Sequence, residues 1–361
     1  MHYIVIMAGG EGTRLWPVSR KRKPKQIQPF LHSNETLLQR TFRRIRRGFK
    51  LEQIFITTTK PYYSLVRKQL PNLSAKNISV EPEKKDTAPA IGLLANYLFQ
   101  KDPQAIITTV GSDAYVEDEK EYIKVIKLAG SLIKKYPRST ILIGINPTYP
   151  ETGYGYIKMG KPVTEINDHE IFQVKKFIEK PDLITAQKFL QKWEYLWNPA
   201  LFTWRVDNLL DLYKEYLPRV YNILLKIRKY LGTIQEKTII EKEYKKMPKM
   251  AIEYAILEKE KNLLVIPADF GWSDIGHWRA IRDILIKKTK AKNIIKGEHI
   301  GVETENSLIY SLSNRMIATA GIKDMIIVDT PDALLICSKD KAHEVKKIIE
   351  KLEKEGKDHL L

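Results

Sequence analysis

Residues 3–26 read YIVIMAGGEGTRLWPVSRKRKPKQ, and this stretch decides the fold class of the chain. Tyr3–Met7 is an apolar, β-branched run, which is typical of a strand that is buried on both faces. The glycines that follow let backbone N–H groups approach a ligand closely, because no Cβ stands in the way. Successive N–H groups in such a turn form a concavity that binds anions. The stretch therefore predicts a strand that leads into a phosphate-binding turn.

Two cations, Arg14 and Lys25, lie in the same stretch. A planar guanidinium and a compact ammonium are both suited to phosphate oxygens. Two better-known phosphate loops do not fit the spacing. The dinucleotide motif GxGxxG fails because Leu15 stands at its third glycine, and the P-loop fails because no glycine here precedes Lys-Ser or Lys-Thr. Glycines alone are also common in ordinary strand-to-helix turns, so the inference depends on the whole run.

The bulk composition favours a folded α/β protein. The chain has 361 residues, enough for one large domain and a smaller one, and its 43% hydrophobic residues can form a core. No run of about 18 apolar residues occurs, so no membrane-spanning helix is expected. The strand-like start lacks the features of a signal peptide. A single cysteine, Cys337, excludes an internal disulfide and a Cys-rich zinc site. Together these features predict a cytoplasmic protein.

The formal net charge of +18 raises the question of nucleic-acid binding. The basic residues crowd in three places, Arg40–Arg47, Lys287–Lys296 and Lys339–Lys354. The first and last carry an apolar stripe at helical spacing, which predicts amphipathic helices with a solvated basic face. No zinc-finger, recognition-helix or RNP-type pattern is present, so we expect no nucleic-acid partner. A basic surface would instead attract anionic substrates. Richness in Lys, Arg and Glu also hints at a thermophile.

Predicted strands and helices alternate along the first half of the sequence. Strands are predicted at Tyr3–Met7, Gln53–Thr58, Asn77–Val80, Ala105–Val110 and Ser139–Ile145, and helices at Glu35–Phe49, Ala90–Phe99 and Lys120–Lys135. Asn34 is the expected N-cap of the first helix, and Asp86 or Thr87 that of the second. The alternation predicts a doubly wound, mostly parallel α/β sheet, in which ligands bind outside the carboxyl ends of the strands. The glycine turn and Asp113 would both lie at that edge.

The character of the sequence changes past residue 285. Five short strand-like pieces follow: His299–Val302, Ser307–Ser311, Met316–Thr319, Met325–Val328 and Ala333–Cys337. The basic stretch at Lys287–Lys296 is the expected boundary. We therefore expect a catalytic domain over residues 1–287 and a small β-rich domain over 288–361 that ends in a helix.

Two aspartates stand in turns where they could hold a metal ion. Asp113 ends the run Val110–Asp113, and Asp274 lies in the run Gly271–Gly276. Mg²⁺ prefers oxygen ligands together with substrate phosphates. Taken alone, either aspartate is as well explained as a turn former or a helix cap. The second run nearly matches the hydrolase motif GxSxG, but its last glycine falls one residue late. The seven histidines form no HxxxH or HExxH pair, which disfavours a zinc hydrolase.

One further segment lies at a predicted helix start. Glu81-Pro82 is followed by Asp86–Ala90, which reads DTAPA. The first N–H groups of such a helix can face an anion or a polar base edge. The residues alone fit an ordinary helix start equally well.

Three later segments combine glycine, aromatic and charged residues: Glu151–Tyr156, Phe177–Pro181 and Trp197-Asn198. The backbone of the first could approach a sugar ring. In the second, Glu179 could accept hydrogen bonds from sugar hydroxyls and Lys180 could hold a sugar phosphate. On residue type alone, this pair is a surface ion pair worth about 0–1 kcal/mol.

Taken in order along the chain, these segments resemble the signature of the sugar-1-phosphate nucleotidyltransferases. Trp16-Pro17 and Lys25-Gln26 are most similar to the mannose-1-phosphate guanylyltransferase branch. The resemblance implies the Rossmann-like nucleotidyltransferase fold. It implies that Asp113 and Asp274 bind Mg²⁺ or another divalent cation. The implied catalytic residues are Arg14, Lys25 and Lys180; the implied nucleotide contacts are Ala8, Gly9, Gly10, Gly12, Thr13, Glu81, Thr87, Ala88 and Gly111; the implied sugar contacts are Tyr154, Gly155, Glu179 and Asn198.

The implied reaction transfers GMP from GTP to mannose-1-phosphate and gives GDP-mannose and pyrophosphate. Short members of the family often have a β-helical tail used for dimer contacts, so the resemblance also implies a possible homodimer. At Ala114, Ser112, Pro199-Ala200 and Tyr149 the chain departs from the residues usual in the family. Two alternatives therefore stay open. One is the same chemistry with another nucleotide or sugar phosphate, and the other is a non-catalytic subunit that senses nucleotide sugars.

Overall fold

The computed structural model of the chain describes residues 1–31 and 33–361. The strands are β1 His2–Met7, β2 Ile54–Thr59, β3 Ile78–Glu81, β4 Ile106–Gly111, β5 Tyr115–Val116, β6 Thr140–Ile145, β7 Gly155–Ile166, β8 His169–Ile178, β9 Tyr195–Asn198, β10 Phe202–Arg205, β11 Leu263–Ala268, β12 Trp272–Ser273, β13 Ile294–Lys296, β14 His299–Val302, β15 Leu308–Ser311, β16 Ile317–Ala320, β17 Met325–Thr330 and β18 Ala333–Ser338. The α-helices are α1 Leu37–Arg46, α2 Tyr63–Gln69, α3 Thr87–Lys101, α4 Glu119–Lys135, α5 Leu183–Leu190, α6 Val206–Tyr216, α7 Pro218–Arg228, α8 Glu236–Tyr244, α9 Trp278–Thr289 and α10 Val345–Lys354. None of the helices in the described ranges is long and apolar enough to span a membrane.

The central sheet has the strand order β11-β8-β7-β9-β6-β10-β4-β1-β2-β3. Strands β1 to β4 are parallel neighbours, with β1 between β4 and β2, and β3 at the end. The register places Met7 of β1 opposite Gly111 of β4, so the chain leaves both strands at the same edge of the sheet. This is the edge where the sequence predicts ligand-binding turns.

The predicted α/β sheet is confirmed, and antiparallel strands extend it. Strand β10 lies antiparallel between β4 and β6, and β7 and β8 form a long hairpin. The hairpin turns at Asn167 and Asp168, both of which have positive φ angles, 51° and 64°. Two successive residues of this kind are typical of the tight turns that match the twist of a hairpin.

Helices cover the central sheet on both faces. Tyr3 and Val5 of β1 belong to a buried cluster together with residues of α3, α6 and α7. Ile4 and Ile6 point to the opposite face, because side chains alternate along a strand, and both are fully buried. Helix α4 packs against β4, β6 and β10. Burial on both faces explains the continuous apolar run of β1 in the sequence.

The N-terminus of α1 differs from the expectation. The sequence predicts that Asn34 caps a helix from Glu35, but α1 begins at Leu37. Thr36 Oγ1 accepts from the Gln39 N–H at 3.2 Å, and Gln39 Oε1 accepts from the Thr36 N–H at 3.1 Å. This reciprocal pair is a capping box, which satisfies two backbone donors at once and so prevails over a single cap at Asn34.

Packing divides the chain into two units. The first consists of Met1–Gly9, Thr41–Ser112 and Val116–Trp272, and it contains the central sheet. The second consists of Gly10–Arg40, Asp113–Tyr115 and Ser273–Leu361. The glycine turn therefore belongs to the same unit as the C-terminal strands. The domain boundary at residues 287 and 288 stays a prediction.

Short strands form the C-terminal part of the second unit. Strands β13, β15 and β17 stack in parallel, β18 closes this sheet in antiparallel orientation, and β14 pairs in parallel with β16. Leu308, Tyr310, Ile326 and Val328 lie in the buried cluster of this unit. The predicted β-rich C-terminal region is confirmed, and α10 is the predicted final helix.

Candidate active site

The glycine turn in the second unit folds around Lys25. Gly12 has a φ of +60°, and a Cβ at this position would lie 2.3 Å from Cγ of Lys25. The left-handed backbone and the close approach both require glycine. Ser19 Oγ donates to the carbonyl of Gly12 at 2.7 Å, and Gln26 Nε2 donates to the carbonyl of Gly10 at 2.7 Å. Side chains from the same stretch of sequence thus stabilise the shape of the glycine turn.

Lys25 contacts both aspartates that are predicted to bind a metal. Its Nζ lies 2.9 Å from Oδ2 of Asp113 and donates to the main-chain carbonyl of Asp274 at 3.0 Å. The side chain of Lys25 is only 10% exposed, so its ammonium depends on these oxygens in place of water. The fold therefore brings together three predicted site residues from distant parts of the sequence.

Arg14 lies beside Asp274 in the short 3₁₀ helix Thr13–Leu15. Its Nη2 is 4.0 Å from Oδ2 of Asp274, and its side chain is 49% exposed. The contact is therefore loose, and the guanidinium stays accessible to a ligand. Asp274 Oδ1 accepts from the Gly276 N–H at 2.8 Å, and a Cβ at Gly276 would lie 2.4 Å from Oδ2. Because glycine has no Cβ, position 276 leaves room for the Asp274 carboxylate.

Asp113 and Asp274 suit a hard divalent cation. Both are carboxylates that keep partial exposure, 32% and 23% of the side chain. Mg²⁺ is usually held by one or two carboxylates, with substrate phosphates and water as the remaining ligands. The donor set therefore fits Mg²⁺.

The predicted residues at the ends of β1 and β4 belong to the first unit. The Ala8 N–H donates to the carbonyl of Thr57 at 2.8 Å, and the Ala8 carbonyl accepts from the Thr58 hydroxyl at 3.1 Å. Both backbone groups of Ala8 therefore already have partners in β2. A Cβ at Gly9 would lie 3.3 Å from Oε1 of Glu81, which is a tight approach. Gly111 is the last residue of β4. Gly9 is therefore partly exposed after the strand end and leaves little room for a side chain beside the buried acid.

Glu81 is a carboxyl whose two oxygens both accept hydrogen bonds from the protein. Tyr244 OH donates to Oε2 at 2.6 Å, and Thr57 Oγ1 donates to Oε1 at 3.3 Å. The residue is 4% exposed. Burial raises the pKa of Glu81 to about 7, although the two hydroxyls act in the opposite direction. Any contact of Glu81 with a base must therefore share the carboxyl with these two donors.

The first two amides of α3 already have protein acceptors. The Thr87 N–H donates to Oδ1 of Asp86 at 2.9 Å, and the Ala88 N–H donates to the carbonyl of Met250 at 3.1 Å. For these two groups the structure therefore agrees with an ordinary helix start, and the nucleotide contacts of Thr87 and Ala88 stay a prediction. The Thr87 hydroxyl is bonded as well, since it donates to Oε2 of Glu253 at 3.2 Å.

Four predicted sugar-side residues lie together in the first unit. Lys180 Nζ donates to Oε1 of Glu179 at 2.8 Å. Glu179 Oε2 is buried and has no hydrogen-bond donor among the described residues, and a Cβ at Gly155 would lie 2.4 Å from it. Gly155 pairs with Asn198 in the register of β7 and β9. A buried carboxylate oxygen without a donor is costly, so a ligand hydroxyl is the natural partner.

The Glu179–Lys180 pair is more than a contact on the protein surface. The side chain of Glu179 is 7% exposed and that of Lys180 is 53% exposed. Burial raises the pKa of Glu179 above its usual range, although Lys180 opposes this. Burial disfavours the charge of Lys180, but the bond to Glu179 prevails and raises the pKa of this lysine. The pair therefore presents a buried acceptor next to an accessible cation.

Aromatic rings surround Tyr154 beside this pair. The Tyr154 ring packs edge-on against Trp197 at 5.3 Å and Trp272 at 5.2 Å between centroids. Its carbonyl accepts from the Lys180 N–H at 3.2 Å. Asn198 Oδ1 accepts from the Ala200 N–H at 2.9 Å, so its amide NH₂ is the group that it can offer to a sugar.

Tyr244 and Glu253 were missed by the sequence analysis, although each is bonded to a predicted site residue. Glu253 lies in residues 251–260, AIEYAILEKE, whose spacing indicates an ordinary amphipathic helix. In the structure Glu253–Leu257 form a π-helix. An acidic residue inside an apolar run is the one signal that could have marked this position.

Comparisons with known proteins decide the family. A family model described as "Nucleotidyl transferase" matches residues 3–291, and one described as "MannoseP isomerase/GMP-like beta-helix domain" matches residues 297–352. A mannose-1-phosphate guanylyltransferase from Escherichia coli is 34% identical over 364 residues, which covers 98% of this chain and 77% of the relative. The chain belongs to the mannose-1-phosphate guanylyltransferase family.

Other members of this family and a solved structure agree with the assignment. A mannose-1-phosphate guanylyltransferase from Salmonella muenchen is 35% identical over 99% of this chain and 75% of its own length. A solved structure from Thermus thermophilus, named a mannose-1-phosphate geranyltransferase, is 27% identical. It superposes with a TM-score of 0.84 and covers 98% of this chain and 99% of its own. The resemblance seen in the sequence is confirmed, and this member of the mannose-1-phosphate guanylyltransferase family is a nucleotidyltransferase enzyme.

Proposed function

We propose that the enzyme transfers GMP from GTP to α-D-mannose-1-phosphate and releases GDP-mannose and pyrophosphate. The observation that carries this proposal is the position of Lys25. This one ammonium is packed by Gly12 of the phosphate turn and contacts both Asp113 and Asp274. An ammonium in this position can pair with triphosphate oxygens, and it lies beside the two aspartates that would hold the accompanying cation.

The reaction is an in-line displacement at the α-phosphorus of GTP by an oxygen of the sugar phosphate. The bond from the α-phosphorus to the bridging oxygen breaks, and the electron pair leaves with pyrophosphate. No covalent enzyme intermediate is needed, so positioning and neutralisation of charge supply most of the catalysis.

Asp113 and Asp274 would hold Mg²⁺ or another divalent cation. When bound, the cation neutralises charge on the phosphate oxygens. Lys25 would leave part of its contact with Asp113 to meet the triphosphate, and Arg14, which is half exposed, would meet the leaving pyrophosphate. Arg14 can change partners at a small cost, because its contact with Asp274 is long and half exposed. Lys25 is nearly buried, so it would exchange one anionic oxygen for another and keep its charge paired.

The nucleotide would contact the glycine turn and the strand ends. The residues proposed for this are Ala8, Gly9, Gly10, Gly12, Thr13, Glu81, Thr87, Ala88 and Gly111. Gly10 supports the proposal, because a Cβ there would meet nothing within 4 Å, so its backbone borders open space. Ala8 and Ala88 are included because their motifs resemble those of the family, since both residues are buried and their backbone groups already have partners.

The sugar phosphate would bind at Tyr154, Gly155, Glu179, Lys180 and Asn198. Glu179 Oε2 would accept a sugar hydroxyl, which supplies the donor that this buried oxygen lacks among the described residues. Lys180 would orient the attacking phosphate with its accessible ammonium. The Asn198 amide would donate a further hydrogen bond to the sugar.

A substrate panel tests the proposal against its two alternatives. Pyrophosphate release is measured with Mg²⁺ across GTP, ATP, UTP and dTTP, each with mannose-1-phosphate and with glucose-1-phosphate. We expect release with GTP and mannose-1-phosphate only. Release with another pair would keep the mechanism and change the specificity. A folded protein that releases none would favour a sensing subunit and contradict the enzyme.

We also propose that the C-terminal domain, residues 288–361, joins two copies in a homodimer. Its strands expose apolar side chains at Ile300, Val302, Leu334 and Ile336. A chain truncated near Lys288 should elute as a monomer in size-exclusion chromatography, and an oligomeric state equal to that of the parent chain would refute the dimer contact. A cytoplasmic location and a thermophilic origin remain proposals that rest on composition.

A further inference from the structure

Two tryptophans of the second unit are linked through the backbone of the phosphate turn. Trp278 Nε1 donates to the main-chain carbonyl of Trp16 at 2.9 Å, and Trp16 Nε1 donates to the carbonyl of Leu360 at 2.8 Å. Trp278 is fully buried and Trp16 is 7% exposed. Two polar groups of Trp16 are therefore bonded in a largely buried setting, where a hydrogen bond is stronger than in water.

Each tryptophan lies close in sequence to a proposed site residue. Trp16 comes directly after the short 3₁₀ helix that carries Arg14, and Trp278 begins α9 shortly after Asp274. Ile275, between Asp274 and α9, has a φ of 46°, a left-handed conformation that is rare for a β-branched side chain. Such a conformation persists only where the surrounding structure holds it. The bond from Trp278 to Trp16 anchors the end of this segment.

Lys25 also joins the phosphate turn to this segment. Its Nζ donates to the carbonyls of Asp274 at 3.0 Å and Ile275 at 3.3 Å. In the proposed reaction the same ammonium meets the triphosphate, so it cannot keep these carbonyls in fixed positions alone. The indole of Trp278 has no second task, because the ring is buried and its single N–H is already donated to Trp16.

We propose that Trp278 is a positioning residue, whose indole N–H holds the phosphate turn in place against the segment that carries Asp274. Arg14 and Asp274 are then oriented in advance toward one triphosphate and its cation, and little reorganisation is needed when the nucleotide binds. The inference rests on the proposed function, because it assigns Trp278 to the triphosphate side of that reaction. Trp278 acts through Trp16 and is not assigned a contact with substrate.

Removal of one N–H separates positioning from packing. Trp278→Phe deletes the donor and keeps an aromatic ring beside Phe30 and Tyr310, whose ring centroids lie 5.8 and 5.2 Å from that of Trp278. We expect kcat/KM for GTP to fall about tenfold or more, because the turn that carries Arg14 shifts once the Trp16 carbonyl loses its donor. KM for mannose-1-phosphate should stay within about twofold, since its proposed residues lie in the first unit.

A second variant covers the case in which Trp278→Phe folds poorly. Replacement of Trp278 by β-(3-benzothienyl)alanine exchanges the N–H for sulfur and keeps the size of the ring. It should reproduce the loss in kcat/KM for GTP without the loss of packing. Parent-like kcat/KM for GTP in this variant would overturn the inference.

Trp204→Phe is the matched control. Trp204 is also fully buried, but its Nε1 has no acceptor in the part of the chain that the structure describes. The change removes the same ring volume and breaks no such bond, so it should lower the thermal midpoint and leave kcat/KM for GTP unchanged. An equal loss of kcat/KM in Trp204→Phe and Trp278→Phe would overturn the inference, because lost packing alone would then explain both.

Calorimetric titration with GTP and Mg²⁺, without sugar phosphate, distinguishes failure of this inference from failure of the proposed function. A parent chain that binds GTP but turns over no substrate pair would contradict the proposed function, and the ratio of Kd values between parent and Trp278→Phe would then decide the role of Trp278. A Kd about tenfold weaker in the variant supports the inference, and an equal Kd overturns it. A parent chain that neither binds GTP nor turns over would overturn both.

Discussion

The two groups of proposed site residues satisfy their charges in different ways. In the second unit, Asp113 is paired with Lys25 and Asp274 lies near Arg14, and both aspartates remain partly exposed. In the first unit, Glu81, Glu179 and Glu253 are buried, and burial raises the pKa of each. The first group consists of ion pairs at partly exposed carboxylates, and the second consists of buried acids that accept hydrogen bonds from separate protein groups.

The difference matches the ligands that each group is proposed to bind. A cation and a triphosphate carry full charges, so their site needs ionic residues that can change partners at a small desolvation cost. A sugar and a base offer neutral hydroxyl and amide groups, which buried acceptors distinguish well because an unmet hydrogen bond there is costly. Loss of a charge in the second unit should therefore reduce kcat, and loss of a buried group in the first should raise KM.

Asp113→Asn should have the largest effect. The change removes a proposed metal ligand and the carboxylate partner of Lys25. We expect kcat to fall by about three orders of magnitude, the scale on which charge-neutralising groups act in phosphoryl transfer. Steady-state pyrophosphate release measures this, with circular dichroism to show that the variant is folded. The control is Asp332→Asn, which breaks the exposed pair with Arg20 in the same unit and should leave kcat unchanged. Near-normal kcat in Asp113→Asn would remove Asp113 from the metal site.

Gly12→Ala should have the next largest effect, because it acts on the phosphate turn through geometry alone. The added Cβ would meet Cγ of Lys25 at 2.3 Å and would place alanine at a φ of +60°. We expect kcat/KM for GTP to fall about a hundredfold, as a displacement of about 1 Å in a positioning group does. Gly321→Ala, with a φ of +61° and nothing within 4 Å, has the same backbone strain without the clash. If both variants lose activity equally, strain alone explains the loss and the contact with Lys25 is irrelevant.

Lys180→Met tests the proposed sugar-phosphate contact in the first unit. We expect KM for mannose-1-phosphate to rise about tenfold or more, with a smaller change in kcat, because the variant loses a charge-assisted contact to the sugar phosphate. Initial rates at varied sugar phosphate measure this effect. Lys158→Met is the control, since Lys158 pairs with Glu194 at 2.8 Å, the same separation as in the Lys180–Glu179 pair. A change confined to kcat would contradict the assignment of Lys180 to sugar-phosphate binding.

Glu81→Gln should have the smallest effect, seen in the pH dependence of stability. The folded-state pKa of Glu81 is raised from 4.5 to about 7, so the folded protein holds a proton that the unfolded chain releases within this interval. The free energy of unfolding therefore falls as the pH rises from 5 to 8, by on the order of 2 kcal/mol for this group. Urea unfolding at several pH values should show a smaller fall in Glu81→Gln than in the parent chain.

Glu243→Gln provides the control for that series. A hydrogen bond from Lys246 holds the pKa of Glu243 below its usual range, so its contribution to stability is complete above that range and is lost only under acid conditions. Its removal should leave the slope between pH 5 and 8 unchanged. Equal slopes in the parent chain and Glu81→Gln would show that Glu81 is already ionised at pH 5.

Local patterns were sufficient to predict strands β1, β2, β3, β4 and β6 and helices α1, α3 and α4, but not the short helix α2 or the short strand β5. β1 and β4 are apolar because both faces are covered, and α4 has the spacing of an amphipathic helix. The hairpin β7–β8 and strand β10 were not predicted. The outer half of β7 is largely exposed, so its apolar periodicity is weak, and β10 is a four-residue strand whose place between β4 and β6 is set by long-range pairing.

The charged residues proposed for the site lie in recognisable motifs, but their hydrogen-bond partners do not. Arg14, Lys25, Asp113 and Asp274 lie in short segments with a recognisable composition. Tyr244 and Glu253 lie in helical segments without a motif and reach their partners across more than 160 positions in the sequence. The cap at Asp86 was one of the two predicted, but the acceptor of the Ala88 N–H was hidden, because it is the carbonyl of Met250, which no local pattern connects to α3.

The most direct test of the proposed reaction follows the α-phosphate of GTP. The parent chain is incubated with Mg²⁺, mannose-1-phosphate and GTP labelled at the α-phosphorus, and the products are separated by charge. We expect the label to appear in GDP-mannose in an amount equal to the pyrophosphate released. Under the same conditions, Asp113→Asn should give almost no labelled GDP-mannose. Label that remains in GTP with the parent chain, or that appears in GMP without a sugar attached, would contradict the proposed reaction.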